Sequence, residues 1–286
     1  MKYLWIVIFV ISCSTKDESF SAETIVHDGI PREYIIFFPA EKYDNNIKIP
    51  LMLNFHGGSG TASEHVYLSD MRSLVDKENF ILVYPQGLYN VWNVSLNYDN
   101  STKNQTDDFG FIKSMINKIS SEYNVDTTRI YATGFSNGAG MAHALACVMS
   151  NKIAAIVSMG GLLYKHTSDN TNPSPKGIMS IHGTLDDSRP YDGIENYYLS
   201  IDEMHEYWIN INKTNPVPVV SDFESDGQPV EYYSFKNGIN NTSIEHYKVY
   251  NAGHYWLEIN YNGNDTNQLI WNFVSKFDTK GLIESN

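Results

Sequence analysis

Hydrophobic positions along the chain follow two rhythms. The runs at 33–39, 51–55, 80–85, 154–159 and 177–183 are short and largely apolar, and several are closed by Pro or Gly. Apolar runs without alternation read as strands covered on both faces. Residues 230–235 and 244–250 alternate instead, with Lys236-Asn237-Gly238 as a turn signal between them. Helical spacing predicts helices over about 63–78, 139–147, 197–212 and 266–277. A further helix carries Phe109, Phe111, Ile112, Met115, Ile116 and Ile119, with an aspartate of the pair Asp107-Asp108 as its N-cap. Pro216-Val217-Pro218 stops the helix at 197–212. Strands alternating with helices predict an α/β fold: a mostly parallel central sheet with helices on both faces. Ligands on such sheets bind at the carboxyl ends of the strands.

The first residues change the picture of where the chain resides. Lys2 precedes the apolar residues 4–11, and Ser12-Cys13 follow. That is the pattern of a secretory signal, and it is too short for a spanning helix, which takes ~20 residues. Val10-Ile11-Ser12-Cys13 resembles a bacterial lipobox, which implies a lipidated Cys13. The expected organisation is a signal peptide over 1–12, a tether over 13–28 and one domain over 29–280. The expected location is secreted or cell-surface, as a lipoprotein anchored in the outer membrane through Cys13 alone. Cys147 then has no partner and reads as a small buried residue.

Charge narrows the partners. Against 20 basic residues stand 33 acidic ones, for a net charge of −13. Phosphate backbones require a basic surface, so a nucleic-acid partner is not expected. A neutral substrate is compatible. Aromatic residues make up 13% of the chain and many fall in loops, where they can contact sugars or aromatic acids. The nine histidines show no short paired spacing such as H-E-x-x-H, so neither a metal nor another cofactor is expected.

The chemistry gathers around Gly134-Phe135-Ser136-Asn137-Gly138. A short β-forming stretch, 129–133, precedes this turn and a helix-forming run follows it. Strand, tight turn and helix are the context of a G-x-S-x-G nucleophile elbow. The turn lifts the Ser136 hydroxyl clear of the backbone, and Gly134 and Gly138 let strand and helix pass closely. His56-Gly57-Gly58-Ser59 follows another strand, as an HGG-type oxyanion loop does. The Gly58 and Asn137 N–H groups are the expected donors, and the His56 side chain is expected to brace the loop. His182-Gly183-Thr184-Leu185-Asp186-Asp187 leaves a strand end, so either Asp186 or Asp187 can orient a histidine; His182 reads as structural. Gly253-His254 marks a sharp turn after the strand ending at Tyr250, which lets the His254 imidazole reach back over the sheet. His246 reads as a half-exposed strand residue.

The order Ser136, acid, His254 is that of α/β-hydrolases. The chain resembles the secreted polyhydroxybutyrate depolymerase and feruloyl esterase family over about residues 31–277. The matching stretches are 50–58, Val83-Tyr84-Pro85-Gln86-Gly87, Trp92, Asp107-Asp108-Phe109-Gly110-Phe111-Ile112, 123–126, 129–139, His182-Gly183-Thr184-Leu185-Asp186, Gly253-His254-Tyr255-Trp256 and the Trp271 helix. The resemblance implies an α/β-hydrolase fold with Ser136 as nucleophile, Asp186 as acid and His254 as base. Trp92 and Trp256, in those stretches, are expected to contact substrate. Feruloyl or acetyl esters of polysaccharides are the expected substrates. Hydrolysis of a polyhydroxyalkanoate polyester or oligoester is the alternative, and a silent hydrolase fold that binds glycans is the non-enzymatic one. Two departures concern substrate-facing loops. Leu257-Glu258 stand where the family often has Pro-Gly, and Cys147 lacks the partner its counterpart often has.

Overall fold

The computed structural model describes residues 22–39, 43–44, 46–94 and 106–284. The expected signal, Cys13 and residues 14–21 lie outside the described residues. Ten strands form one sheet: β1 (Ala22–His27), β2 (Ile30–Phe37), β3 (Ile49–Phe55), β4 (Ile81–Pro85), β5 (Val125–Phe135), β6 (Ile153–Met159), β7 (Gly177–Gly183), β8 (Val219–Ser225), β9 (Gln228–Phe235) and β10 (Ile244–Val249). Their spatial order is β1-β2-β4-β3-β5-β6-β7-β10-β9-β8. The six central strands, from β4 to β10, run parallel. Antiparallel hairpins flank them at both edges. Every residue of β3, β4, β6 and β7 is buried, as their unbroken apolar character requires.

The period of two sorts each strand between two cores. Leu51, Leu53, Phe55, Ile130 and Ala132 face one layer, made by α3 (Asp108–Glu122), α4 (Asn137–Val148) and α6 (Ile201–Asn212). Met52, Leu82, Tyr84 and Tyr131 face the other, made by α1 (Ala62–Leu68), α2 (Arg72–Glu78) and α7 (Thr266–Val274). The short helix α5 (Lys165–Asn170) lies between β6 and β7 in the chain. Among the described residues no helix is long and apolar enough to cross a membrane.

Four local expectations are corrected. Residues 22–27, assigned to the tether, form β1 and pair residue for residue with β2; their side chains are largely exposed, so no hydrophobic pattern marked them. The helix expected over 63–78 is two. A capping box of Thr61 and Glu64 starts α1, and the chain breaks at Ser69-Asp70-Met71. Tyr84 holds the break: its hydroxyl donates to the Ser69 carbonyl at 2.6 Å and accepts the Met71 N–H at 3.3 Å. The helix expected from 197 starts at Ile201, where Ser200 and Glu203 form a second capping box. β8 is an exposed edge strand that the pattern did not reveal.

Candidate active site

Ser136 ends β5 and opens α4 with φ +54° and ψ −114°. A serine pays for such a backbone only when its surroundings force it. Here the Ser136 N–H donates to the Met159 carbonyl at 2.9 Å, and its own carbonyl accepts the Gly140 N–H at 3.0 Å. The flanking glycines have the predicted role. A Cβ on Gly138 would lie 2.2 Å from the Phe55 carbonyl oxygen and 2.5 Å from that of His56. One on Gly134 would lie 2.6 Å from the Phe55 carbonyl oxygen. The elbow and the His56 loop therefore touch backbone to backbone.

Asp186 and His254 meet because β7 and β10 are neighbours. Beyond the strand ends the two loops stay bonded: Thr184 N–H to the Val249 carbonyl, Leu185 N–H to the Ala252 carbonyl, and Asn251 N–H to Thr184 Oγ1, at 2.8 to 3.0 Å. His254 Nδ1–H donates to Asp186 Oδ2 at 2.7 Å, and Ser136 Oγ–H donates to His254 Nε2 at 2.8 Å. These partners assign the tautomer. The other oxygen of Asp186 accepts the Ser188 and Arg189 amides at 3.0 and 2.7 Å. Burial raises the Asp186 carboxyl, but the His254 bond and the Arg189 amide outweigh it, so it lies below its ordinary value. The Asp186 side chain is 1% exposed. Asp187 is exposed, so of the two aspartates Asp186 alone faces the histidine. The His254 ring stacks on Phe135, with centroids 4.9 Å apart.

The two expected oxyanion donors border the same cavity as Ser136 and His254. Among the described residues neither the Gly58 nor the Asn137 amide has an acceptor in the protein. His56 braces this loop. Its Nδ1–H donates to the Gly57 carbonyl at 2.8 Å, and Nε2 accepts the Gly87 N–H at 2.9 Å. Burial lowers its pKa, in keeping with a neutral ring. Trp92 is fixed from three directions. Its indole N–H donates to the His56 carbonyl at 3.0 Å, and its backbone is held by the Asn137 side chain. Its neighbour Asn93 donates its N–H to Asp108, which is paired with the buried Arg32. Asp107 caps α3 through the Gly110 N–H. The Asp107-Asp108 motif thus has two tasks, one for the helix and one for the cavity wall.

The cavity holds about 600 Å³, within the range that takes a small molecule or an acyl group. Gly58, Ser59, Val91, Trp92 and Val94 line one part of it; Tyr164, Ser188, Arg189, Ile194, Tyr197 and Tyr198 line another. Of the expected substrate contacts, Trp92 borders the cavity and Trp256 does not. Trp256 is 6% exposed and packs in the opposite core beside His65 and Phe135, where the turn after His254 directs it. The tyrosine wall was missed because 197–200 read as helix; the Ser200–Glu203 capping signature would have placed Tyr197 and Tyr198 in the preceding loop. Tyr198 donates its hydroxyl to that of Tyr164 at 3.1 Å, and burial raises both phenols above their ordinary pKa.

Two other histidines settle differently. His182 Nε2–H donates to the Arg189 carbonyl at 2.7 Å, which ties down the loop that carries Asp186. His246 is fully buried, not half-exposed: Ser180 and Tyr191 hydroxyls lie 2.7 and 2.9 Å from its two ring nitrogens. Among the described residues, His27, Asp28 and Asp107 place ligating atoms within 4.8 Å of one another, but none of them borders the cavity.

Comparison with known proteins finds esterases. A sequence profile described as esterase PHB depolymerase matches residues 33–179. A bifunctional acetylxylan esterase/xylanase from Neocallimastix patriciarum is 26% identical over 262 residues, covering 90% of this chain and 35% of that protein. A probable feruloyl esterase C from Aspergillus terreus is 28% identical over 220 residues, covering 72% of this chain and 76% of that one. The chain thus spans about a third of the first relative's length. Among solved structures, an acetyl xylan esterase from Aspergillus awamori superposes with a TM-score of 0.61 at 17% identity, covering 82% of this chain and 94% of that one. A feruloyl esterase module from Clostridium thermocellum gives 0.59 at 12% identity, covering 94% and 90%. At these identities the structures establish the α/β-hydrolase fold.

Proposed function

The chain belongs to the esterase PHB depolymerase family, and on that premise we propose that it is a serine carboxylic-ester hydrolase acting on feruloyl or acetyl esters of polysaccharides. The observation that carries this reading is the unbroken line Asp186–His254–Ser136, at 2.7 and 2.8 Å, facing a cavity bordered by two backbone amides that have no acceptor among the described residues. Ser136 Oγ attacks the ester carbonyl and passes its proton to His254 Nε2. Asp186 holds the Nδ1–H and stabilises the imidazolium that forms. The Gly58 and Asn137 amides receive the developing oxyanion; such a donor is worth ~3–4 kcal/mol of barrier in the best-studied case. His254 then gives its proton to the leaving alcohol. Water, activated by the same imidazole, releases the acid and restores Ser136.

Feruloyl and acetyl esters are favoured by the relatives' printed activities and by the phenol-rich wall of Tyr164, Tyr197 and Tyr198. We further propose that residues 1–12 are a signal peptide and that Cys13 carries a lipid anchor. The chain length between Cys13 and β1 leaves room for a short tether. Rates on methyl ferulate, acetylated xylan and hydroxybutyrate oligomers, each compared with Ser136→Ala, test the assignment. Serine-dependent turnover of the first or second is expected. Turnover of the oligomers alone would replace the substrate, and turnover that survives Ser136→Ala would replace the mechanism.

A further inference from the structure

Arg189 borders the catalytic cavity together with Ser136 and His254. Among the described residues it has no carboxylate within 4.0 Å, although acidic residues outnumber basic ones by 33 to 20. Arg32 and Arg72 each pair with an aspartate, and Arg129, seven residues before Ser136 on β5, donates to the Tyr131 hydroxyl. The backbone of Arg189 is committed to Asp186, and its side chain is placed separately. Its Cζ lies 4.9 Å from the centre of the Tyr198 ring, and one terminal nitrogen donates to the Ser188 carbonyl at 2.8 Å. Stacking on an aromatic ring fixes the guanidinium plane while leaving edge N–H groups unused. A planar cation with a free edge matches a carboxylate, which it can bind through two parallel hydrogen bonds.

We infer that Arg189 is the anion-recognising residue of this cavity, and that the substrates it selects are esters bearing a free carboxylate close to the ester bond. The inference rests on the ester-hydrolase reading above and sharpens it. A net charge of −13 repels an anion at long range, but salt screens charges beyond ~8 Å at physiological ionic strength, whereas a contact pair in a cleft is screened far less. The carboxylate can sit on the acid half of the ester or on the alcohol half. The rival role for Arg189 is to support Tyr198 alone.

Two matched pairs of esters separate these cases. Mono-p-nitrophenyl glutarate against p-nitrophenyl valerate places the charge on the acid half. The acetyl ester of 4-hydroxyphenylacetic acid against its methyl ester places it on the alcohol half. At pH 7 the ratio of kcat/KM, anionic over neutral, is expected to exceed tenfold for one pair, which identifies the half. Arg189→Gln is expected to lower that ratio at least tenfold, mainly through KM, and Arg189→Lys to restore part of it. Both variants keep the backbone amide that holds Asp186. A ratio near or below one for both pairs, or one that Arg189→Gln leaves unchanged, overturns the inference. Equal losses on both members of a pair also overturn it and assign Arg189 to support of Tyr198. Labelling of Ser136 by a fluorophosphonate, run in parallel, reports separately whether the serine mechanism holds.

Discussion

The side chain of Asn137 clasps the backbone of Trp92 with two hydrogen bonds: Oδ1 accepts the Trp92 N–H at 2.7 Å, and Nδ2 donates to the Trp92 carbonyl at 3.2 Å. The residue whose amide is the proposed oxyanion donor therefore also fastens the Trp92 wall of the cavity. The clasp joins α4, the Trp92 loop and, through Asn93 and Asp108, the buried Arg32 of β2.

Asn137→Ala keeps the amide N–H but leaves two buried backbone groups of Trp92 unpartnered, each costing ~1–3 kcal/mol. A fall in Tm together with a drop of ~10- to 100-fold in kcat is expected, with Asn137→Asp falling between the two. Thermal melts and steady-state kinetics on p-nitrophenyl acetate check this. An unchanged kcat in a destabilised Asn137→Ala would confine the clasp to folding.

Asp186→Asn keeps the shape of the acid but removes the charge that fixes the His254 tautomer. A loss of ~10⁴-fold in kcat accompanies that change in the best-studied triad. Asp187→Asn, at an exposed position outside the hydrogen-bonded line, is expected to change kcat less than threefold. Comparable losses in the two variants would mean that the acid had been misassigned.

Much of this site is legible in the sequence because each part must satisfy a local steric or polar demand. Gly134 and Gly138 stand where backbones pass closely, whereas a Cβ on Gly253 would meet only ordinary contacts from 3.8 Å outward; Ser136, Asp186 and His254 each follow a stretch that the sequence marks as a strand. β7 coincides with the run at 177–183. What was hidden depends on partners remote in the chain. β1 is held by pairing with β2 and not by burial. The break between α1 and α2 is fastened by Tyr84, thirteen residues beyond Met71. The direction of Trp256 is set by the turn after His254, and no periodicity signals which core receives it. His246 alternates like a half-exposed strand residue, yet its strand lies between β7 and β9 and the ring is buried against Tyr191 and His205.

Strain at the elbow predicts opposite effects from two glycine exchanges. Ser136→Gly relieves a φ of +54° and is expected to raise stability by about 1 kcal/mol while abolishing activity. Gly138→Ala drives a Cβ into two carbonyl oxygens and is expected to lower Tm by several degrees and cut kcat at least 100-fold. Denaturant melts of both variants test the pair. A Ser136→Gly protein less stable than the wild type would show that the elbow stores no strain.

Burial lowers His65 and His143 to about 3 and His205 to about 4, and it lowers His56, His182 and His246 as well. They stay neutral in the fold, whereas in the unfolded chain they titrate near the ordinary value of ~6.5. The unfolded state therefore takes up protons first as pH falls. Their contribution to stability is full above pH 6.5 and is lost progressively as pH falls from there toward 4 and 3, by about 1.4 kcal/mol per pH unit for each histidine. The urea midpoint is expected to fall markedly between pH 7.5 and 5.5. Among the described residues both ring nitrogens of His143 lack a hydrogen-bond partner, so His143→Leu is expected to stabilise the fold and flatten that slope. Equal midpoints at the two pH values would contradict the account.

Ser136 is proposed as a nucleophile activated by His254 and Asp186. Reaction of the folded protein with a fluorophosphonate, followed by peptide mass mapping, tests it most directly. One adduct on Ser136, formed at least 100 times more slowly in His254→Ala, is the predicted result. A folded protein that remains unlabelled, or one labelled at a residue other than Ser136, would contradict it.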